Sequence, residues 1–233
     1  MTDKLRRPWS GIAYPCLKRL FDVIFSALLL VLSSPLWLIT IAGISLSSKG
    51  PPFYVARRVG KDGREFRMYK FRSMHVADGA DEKSLRPDES RIFKFGAFIR
   101  ATKIDELPQI LNVLFGQMTV VGPRPASKDQ LAVTRGGKYR ALYALKAGLT
   151  SPSALYDYLC GDAISDEAEY DRKILPTRLA LDMYYLARRG LVCDIRVIGE
   201  TAACIFCRVF RIMPKGIYER LLSAAAELSG DPQ

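Results

Sequence analysis

From Val23 to Leu46 the chain carries no charged side chain. As a helix this stretch of about 24 residues rises on the order of 36 Å, enough for a hydrocarbon core of roughly 30 Å. Ser34-Pro35 interrupts it near the middle. Pro35 has no amide hydrogen and crowds the preceding turn, so a helix through it kinks, with Ser33 and Ser34 placed to satisfy the freed carbonyls. Cations flank both ends: Arg6, Arg7, Lys18 and Arg19 before the run, Lys49, Arg57, Arg58 and Lys61 after it. Lys and Arg favour the cytoplasmic side, so a single crossing strands one cluster on the wrong face, whereas a re-entrant helix-break-helix hairpin turning at Ser34 and Pro35 keeps both inside. An ordinary signal anchor is the alternative. A cleaved signal peptide is disfavoured by the length of the run and the lack of a small-x-small exit.

After Gly50-Pro51-Pro52 the pattern changes. Phe53 to Val59 and Glu65 to Phe71 are rich in aromatic and β-branched residues and are separated by Lys61-Asp62-Gly63-Arg64, whose Asp-Gly predicts a β-hairpin. Ala77 to Arg91 is polar and charge-dense and reads as a surface loop. Phe93 to Arg100 predicts a short helix, and a second runs from about Asp105 to Leu114, ended by Gly116. Val121-Gly122-Pro123-Arg124-Pro125 must be rigid loop. Lys128 to Leu145 and Glu167 to Arg189 read as amphipathic helices, Val192 to Ile212 as a last apolar helix, and the Ala- and Ser-rich stretch after Leu222 as a fraying tail. The expected architecture is α+β and mainly helical: a membrane segment over 1–50, one catalytic domain over 51–222 containing a small β-hairpin and amphipathic interfacial helices, and a flexible tail over 223–233.

Charge narrows the partners. A net charge of +11 over 233 residues implies an anionic one, and beside a membrane run, anionic lipid or a phosphorylated substrate fits better than nucleic acid. Five scattered cysteines imply no disulfide framework and fit a reducing cytoplasm. Cys204-x-x-Cys207 lies in an apolar helical pattern with no second ligand pair, so it reads as core packing. His75 is the single histidine, which removes His-dependent triads and His-rich zinc sites.

Chemistry concentrates in Arg100-Ala101-Thr102-Lys103-Ile104-Asp105-Glu106-Leu107-Pro108-Gln109. Pro108 is tolerated only in the first turn of a helix, so the helix must begin at or just before Asp105. That places adjacent carboxylates at the positive end of a helix dipole, where any nearby phosphate is favoured as well. Side chains one residue apart diverge by about 100° around the axis, so the two would grip different parts of a metal-phosphate assembly. Simple helix capping explains an isolated Asp-Glu pair equally well. Arg124 between prolines reads alone as a surface turn residue, and Lys70 and Arg72 alternating with Tyr69 and Phe71 as a half-exposed strand. Together, on a basic membrane-associated chain, they are harder to assign to structure alone.

Several motifs, in order, resemble the bacterial monotopic phosphoglycosyl transferases, which transfer sugar phosphates to polyprenyl phosphate: Lys18-Arg19-Leu20-Phe21-Asp22, Ser34-Pro35, Tyr69 to Met74, Asp105 to Gln109, Asn112-Val113-Leu114, Val121 to Pro125, and Leu181-Asp182-Met183-Tyr184-Tyr185 to Asp194-Ile195. The short N-terminus, without extra transmembrane spans, is similar to the minimal form of that family. The resemblance implies a ping-pong reaction at the cytoplasmic face of the bacterial inner membrane. In it Asp105 attacks the β-phosphate of a UDP-sugar, UMP leaves, and undecaprenyl phosphate takes the phosphosugar from the aspartate, in the first membrane step of glycan assembly. It implies Asp105 as nucleophile, with Glu106 beside it as Mg²⁺ ligand, both carboxylates at the metal. Arg100, Lys70, Arg72 and Arg124 would hold phosphate, next to Pro123, with Asp182 as an orienting carboxylate. Membrane lipid is a partner and nucleic acid is not; homo-oligomerisation is left open.

One region departs from the pattern. Where many members carry Gly-x-x-Gln-Val-x-Gly-Arg after Lys-Pro-Gly-Ile-Thr, this chain reads Lys146-Ala147-Gly148-Leu149-Thr150-Ser151-Pro152-Ser153-Ala154-Leu155, followed by an acidic stretch from Asp162 to Asp171. The Gly-Arg element is absent, with Lys173 or Arg178 as replacement candidates, and the donor sugar is unreadable. The competing class is a non-enzymatic basic protein binding anionic lipid or nucleic acid, which leaves the paired carboxylates without a reason.

Overall fold

A computed structural model describes residues 13–76, 89–161, 164 and 166–229. Arg6, Arg7, most of the expected loop from Ala77 to Arg91, and Asp162, Ala163 and Ser165 of the acidic stretch lie outside the described residues. The architecture is mainly helical with small sheets.

The apolar run forms one helix, α1, Ala13–Ser47, which continues through Ser34 and Pro35 without the break that the helix-break-helix reading expects there. Residue 35 should have bonded the carbonyl of Val31; that carbonyl instead accepts the Ser34 hydroxyl at 2.8 Å, so the proline's lost bond is replaced locally. Trp37 Nε1 donates to Ser33 Oγ at 3.2 Å across the same turn. Most of the outer face is exposed and apolar, including Ile24, Leu28, Val31, Leu32, Leu38 and Ile39.

Both ends of α1 dock on the folded body. Near its start Arg19 donates to Val113 O and Leu114 O at 2.6 and 2.8 Å, satisfying the last carbonyls of α3, Gln109–Leu114. Asp22, 3% exposed, accepts from Thr119 Oγ1 at 2.6 Å and Val120 N at 3.1 Å. Near its end Ile44 is buried with Phe71, Phe93 and Ile99, and Trp37 and Ile41 pack against that cluster.

Strands β1, Phe53–Val59, and β2, Glu65–Phe71, form the expected antiparallel hairpin, with Phe53 opposite Phe71 and Val59 opposite Glu65. Asp62 and Gly63 take the left-handed conformations the turn requires, φ 56° and 74°. Helix α2, Lys94–Ala101, follows. Strand β3, Met118–Val121, pairs in parallel with β4, Ala147–Thr150. The strands close so tightly beyond β3 that a Cβ on Gly148 would sit 2.2 Å from Gly122 N.

The helical readings need four corrections. The Lys128–Leu145 stretch is not one helix but a 3-10 turn, α4 Leu131–Arg135, and a second 3-10 segment, because Gly136-Gly137 breaks it and Gly137 sits at φ 51°. The 167–189 stretch divides into α6, Glu167–Lys173, and α7, Leu175–Arg188, with Pro176 in the first turn of α7. Helix α8, Leu191–Val209, is not the last, since α9, Lys215–Ser229, follows. Residues 223–229 of the stretch read as a tail continue α9, with Leu221, Ala224 and Ala225 buried in the main core, and residues 230–233 lie outside the described residues. Helix α5, Pro152–Cys160, capped by Ser151 accepting from Ala154 N at 2.9 Å, packs on α7 and closes that core.

Candidate functional site

The acidic pair sits differently from the sequence expectation. Lys103 adopts a left-handed φ of 58°, residues Ile104–Glu106 form a 3-10 turn, and α3 starts only after Pro108, its N-cap. Asp105 and Glu106 therefore occupy the turn that feeds a short helix. Their setting comes from burial and neighbouring cations rather than from a helix dipole.

Asn112, fully buried, fixes the register of this turn against the hairpin. Its Nδ2 donates to Arg67 O and Gln117 Oε1, each at 2.6 Å, and its Oδ1 accepts from Tyr69 N at 3.1 Å. The next residue of β2, Lys70, then meets Glu106 Oε1 at 3.1 Å. Asp105 is 6% exposed and its buried Oδ1 has no hydrogen-bond partner. Burial pushes its carboxyl above the usual range and Glu106 adds to this, while Lys70, Lys103 and Arg100 oppose it. Glu106 goes the other way: burial alone would raise it, but Lys70, Lys103 and Arg124 together outweigh that and hold it well below the usual carboxylate range. Two adjacent carboxylates thus differ in proton affinity, one charge-stabilised and the other held back by desolvation.

Glu106 and Lys70 open on a cleft of ≈ 570 Å³, continuous with solvent, whose wall includes Arg58, Gln109, Arg124, Gln130 and Gly148. Arg58 was read only as a membrane-flanking cation. Here burial, then the nearby Arg124, pushes its guanidinium below its ordinary value, a like-charge crowding that a bound anion relieves. Pro123, next to Arg124, is tied to the lining residue Gly148: its carbonyl accepts from Gly148 N at 2.9 Å.

Of the sequence-predicted residues, Asp105, Glu106, Lys70, Arg100, Pro123 and Arg124 come together. Arg72 does not. The strand ends at Phe71, and Arg72 turns back, 5% exposed, to donate to Lys49 O and Ser48 O at 2.6 Å each and Gly50 O at 3.2 Å. It caps the end of α1. Asp182 lies beneath the β4–α5 turn rather than on the cleft wall and accepts from Ser153 Oγ at 2.5 Å. Burial raises its carboxyl, against Arg135, the Ser153 hydroxyl and Arg178. Neither replacement candidate for the missing arginine is at the acidic pair: Lys173 meets Glu169 at 2.6 Å on the surface, and Arg178 is held by Tyr170 and Asp157. Ser34 and Pro35 sit far along α1, at the replaced hydrogen bond.

Among the described residues no group of three or more His, Cys, Asp or Glu side chains is arranged to hold a metal ion. A magnesium ion does not need one, because it commonly takes one or two carboxylates with water and substrate phosphate. The unpartnered Asp105 Oδ1 beside Glu106 fits that donor set.

Proteins of known description share this arrangement of sequence. A family model described as bacterial sugar transferase matches residues 13–208. The UDP-glucose:undecaprenyl-phosphate glucose-1-phosphate transferase of Klebsiella pneumoniae is 36% identical over 193 residues, covering 79% of this chain and 39% of that protein. Its namesake in Caulobacter vibrioides is 34% identical over 197 residues, 83% of this chain and 71% of the relative. The UDP-N-acetylgalactosamine-undecaprenyl-phosphate N-acetylgalactosaminephosphotransferase of Aeromonas hydrophila is 31% identical over 199 residues, 82% and 44%. The match thus spans less than half the length of the Klebsiella and Aeromonas relatives. With a family match running from the start of α1 to the end of α8, the chain belongs to the bacterial sugar transferase family.

Proposed function

We propose that this chain transfers a sugar 1-phosphate from a UDP-sugar to undecaprenyl phosphate, releasing UMP, in two steps through Asp105. The observation that carries the reading is the buried Asp105 Oδ1 without a hydrogen-bond partner, in a turn surrounded by Lys70, Lys103 and Arg100. An idle buried oxygen is costly in a purely structural carboxylate and useful in a nucleophile. In the first step that oxygen forms a bond to the β-phosphorus, and the bond to the α–β bridging oxygen breaks, with UMP leaving. In the second, a phosphate oxygen of the lipid attacks the same phosphorus and the Asp105 carboxylate leaves, giving a lipid diphosphate sugar.

Lys70 has two tasks in this scheme. It keeps Glu106 charged, and it opposes the burial that would keep Asp105 protonated. Arg124 and Arg58 face the cleft where the donor diphosphate would lie, with Arg100 behind Asp105. Asp105 and Glu106 would hold Mg²⁺, which supplies neutralisation of charge on the non-bridging phosphate oxygens when bound. Asp182 acts at a distance, steadying α5 through Ser153.

The same reading places the protein on the cytoplasmic face of the inner membrane, anchored in one leaflet. What supports this is that α1 is apolar enough to cross a membrane by length and composition, yet polar contacts from both of its ends reach one folded body: Arg19 and Asp22 at the start, the Ser48–Gly50 carbonyls at the finish. A helix crossing a hydrocarbon core of roughly 30 Å would separate those ends. Labelling single cysteines near residues 12 and 50 from the cytoplasmic side tests it, and protection of either one defeats the one-leaflet anchor. For the activity, a panel of UDP-sugars is incubated with Mg²⁺ and undecaprenyl phosphate and UMP is measured. Release that vanishes in Asp105→Asn is expected; no release with any donor overturns the assignment.

A further inference from the structure

Resting on that reading of Asp105, we infer that Gln109 binds the sugar of the donor, its side-chain amide exchanging hydrogen bonds with a hydroxyl of the group being transferred. Helix α3 carries two buried amides in different circumstances. Asn112, 0% exposed, uses both ends of its side chain, on Arg67 O, Gln117 Oε1 and Tyr69 N. Gln109, one turn earlier and 3% exposed, makes no side-chain hydrogen bond to any described residue. Its amide atoms are nevertheless not sealed from solvent, unlike Asp105 Oδ1. The open space that Gln109 meets is the cleft, whose wall it shares with Lys70, Glu106, Arg124 and Gly148. A structural amide this deep finds a protein partner, as Asn112 does. One that borders a cleft without a partner keeps its donor and its acceptor for a ligand.

The chemistry of an amide selects the part of the donor. Phosphate oxygens only accept, and the cleft already presents Arg58, Lys70 and Arg124 to them; beside an anion the carbonyl end of the amide would be repelled. An amide matches a group that both gives and takes a hydrogen bond, and a UDP-sugar has two such parts, the sugar hydroxyls and the edge of the uracil. Position decides between them. Gln109 comes one turn after the acidic pair and borders the same cleft as Glu106. The sugar is joined through a single oxygen to the phosphorus that Asp105 attacks, whereas the uracil lies beyond the α-phosphate and the ribose. The sugar also stays on Asp105 after UMP has left, so the contact serves both steps.

Gln109→Met keeps the length of the side chain and removes its hydrogen bonds. With the best UDP-sugar of the panel its KM should rise about tenfold, as for one lost hydrogen bond to a ligand. Inhibition by UDP, which carries the uracil and both phosphates but no sugar, should stay within about twofold of the parent. The apparent Tm should not fall, because no protein partner is lost. Monodeoxy analogues of the same donor locate the contact: the hydroxyl whose removal costs the parent about tenfold should cost Gln109→Met about twofold or less. Where Tm falls as well, these analogues still decide. UDP inhibition weakened in step with the donor KM would move Gln109 to the uracil and overturn the assignment. So would a parental KM, or a variant as sensitive as the parent to every deoxy analogue. If the parent protein releases no UMP from any UDP-sugar, it is the Asp105 reading that fails; if the parent turns over and the Gln109 expectations fail, that reading stands and the sugar contact alone falls.

Discussion

Lys18→Met tests the most heavily buried ionic contact among the described residues. Lys18 Nζ lies 3.0 Å from Asp22 Oδ1 and 2.8 Å from Asp194 Oδ2, and the two carboxylate side chains are 4% and 0% exposed. Met preserves the aliphatic stem and removes the charge, leaving two acidic groups facing each other in the core. Breaking a buried pair this way costs about 3–5 kcal/mol, because the abandoned charge stays desolvated. At about 2–4 °C per kcal/mol for a domain of this size, the apparent Tm should fall by about 6–20 °C. The pH dependence gives the mechanism away. Burial already raises the Asp194 carboxyl, with Lys18 opposing and Asp22 adding; without Lys18 the upward push is unopposed. A carboxyl whose folded value exceeds its unfolded value binds more protons when folded, so its contribution is full below the unfolded value and is lost as pH rises through the folded one. The deficit of the variant is therefore largest near neutrality and shrinks on acidification. Thermal unfolding in detergent, followed by tryptophan fluorescence at about pH 5 and about pH 7.5, measures both points, and Lys18→Met with Asp194→Asn should recover much of the loss. A deficit below about 1 kcal/mol, or one equal at both pH values, refutes the reasoning.

Three further outcomes are expected. In Lys70→Met, Asp105 loses the cation that most opposes its burial, so the acid limb of donor-only UMP release should move to higher pH, and the maximal rate should drop on the order of 100-fold; a pH–rate profile reads both. Arg72→Ala should cost about 2–4 kcal/mol of stability, from the lost charged hydrogen bonds to the Ser48, Lys49 and Gly50 carbonyls, with KM for the UDP-sugar unchanged. A raised KM would return Arg72 to the phosphate site. Gly148→Ala places a Cβ 2.2 Å from Gly122 N and 2.3 Å from Gly122 O, where only backbone can yield, so it should destabilise by about 3 kcal/mol or more, as read by thermal unfolding.

What the sequence revealed depends on how local the determining interaction is. The β1–β2 hairpin matches its expected ends because alternation and Asp62-Gly63 act within a few residues of each other. The β3–β4 pair went unseen: its strands are far apart in sequence and no turn residue marks a parallel partner. The start of α3 was misread because Pro108 fixes only that a helix begins nearby, while the break at left-handed Lys103 has no side-chain signature. Arg72 was carried into the site by the family resemblance; the strand ends at Phe71, so Arg72 leaves the face that Lys70 occupies. Arg58 could have been found by strand alternation, since it faces Phe66 across the hairpin, two positions from Met68, which lines the cleft. The tail reading failed because Ala224 and Ala225 bury little area each, yet with Leu221 they recur at helical spacing.

Helix α1 and the loop that carries Arg124 share one support. Asp22 holds the β3 backbone at Val120 N, and the Tyr185 hydroxyl sits 2.8 Å from both Val121 O and Asp194 Oδ1. Lys18 joins Asp22 to Asp194, so α1, β3, α7 and α8 meet in a single buried network. The chain leaves that network at Val121 and reaches Arg124 three residues later, with Gly122 N bound to Thr150 O at 3.0 Å and Pro123 O to Gly148 N at 2.9 Å. A loop pinned at each of those steps has little freedom to reposition its arginine. The apolar length of α1 would account for the proposed membrane attachment but not for Asp22 in its first turns, which a bare anchor has no use for. In the proposed reaction Asp22 has such a use, since the docked helix then also fixes where Arg124 meets the diphosphate.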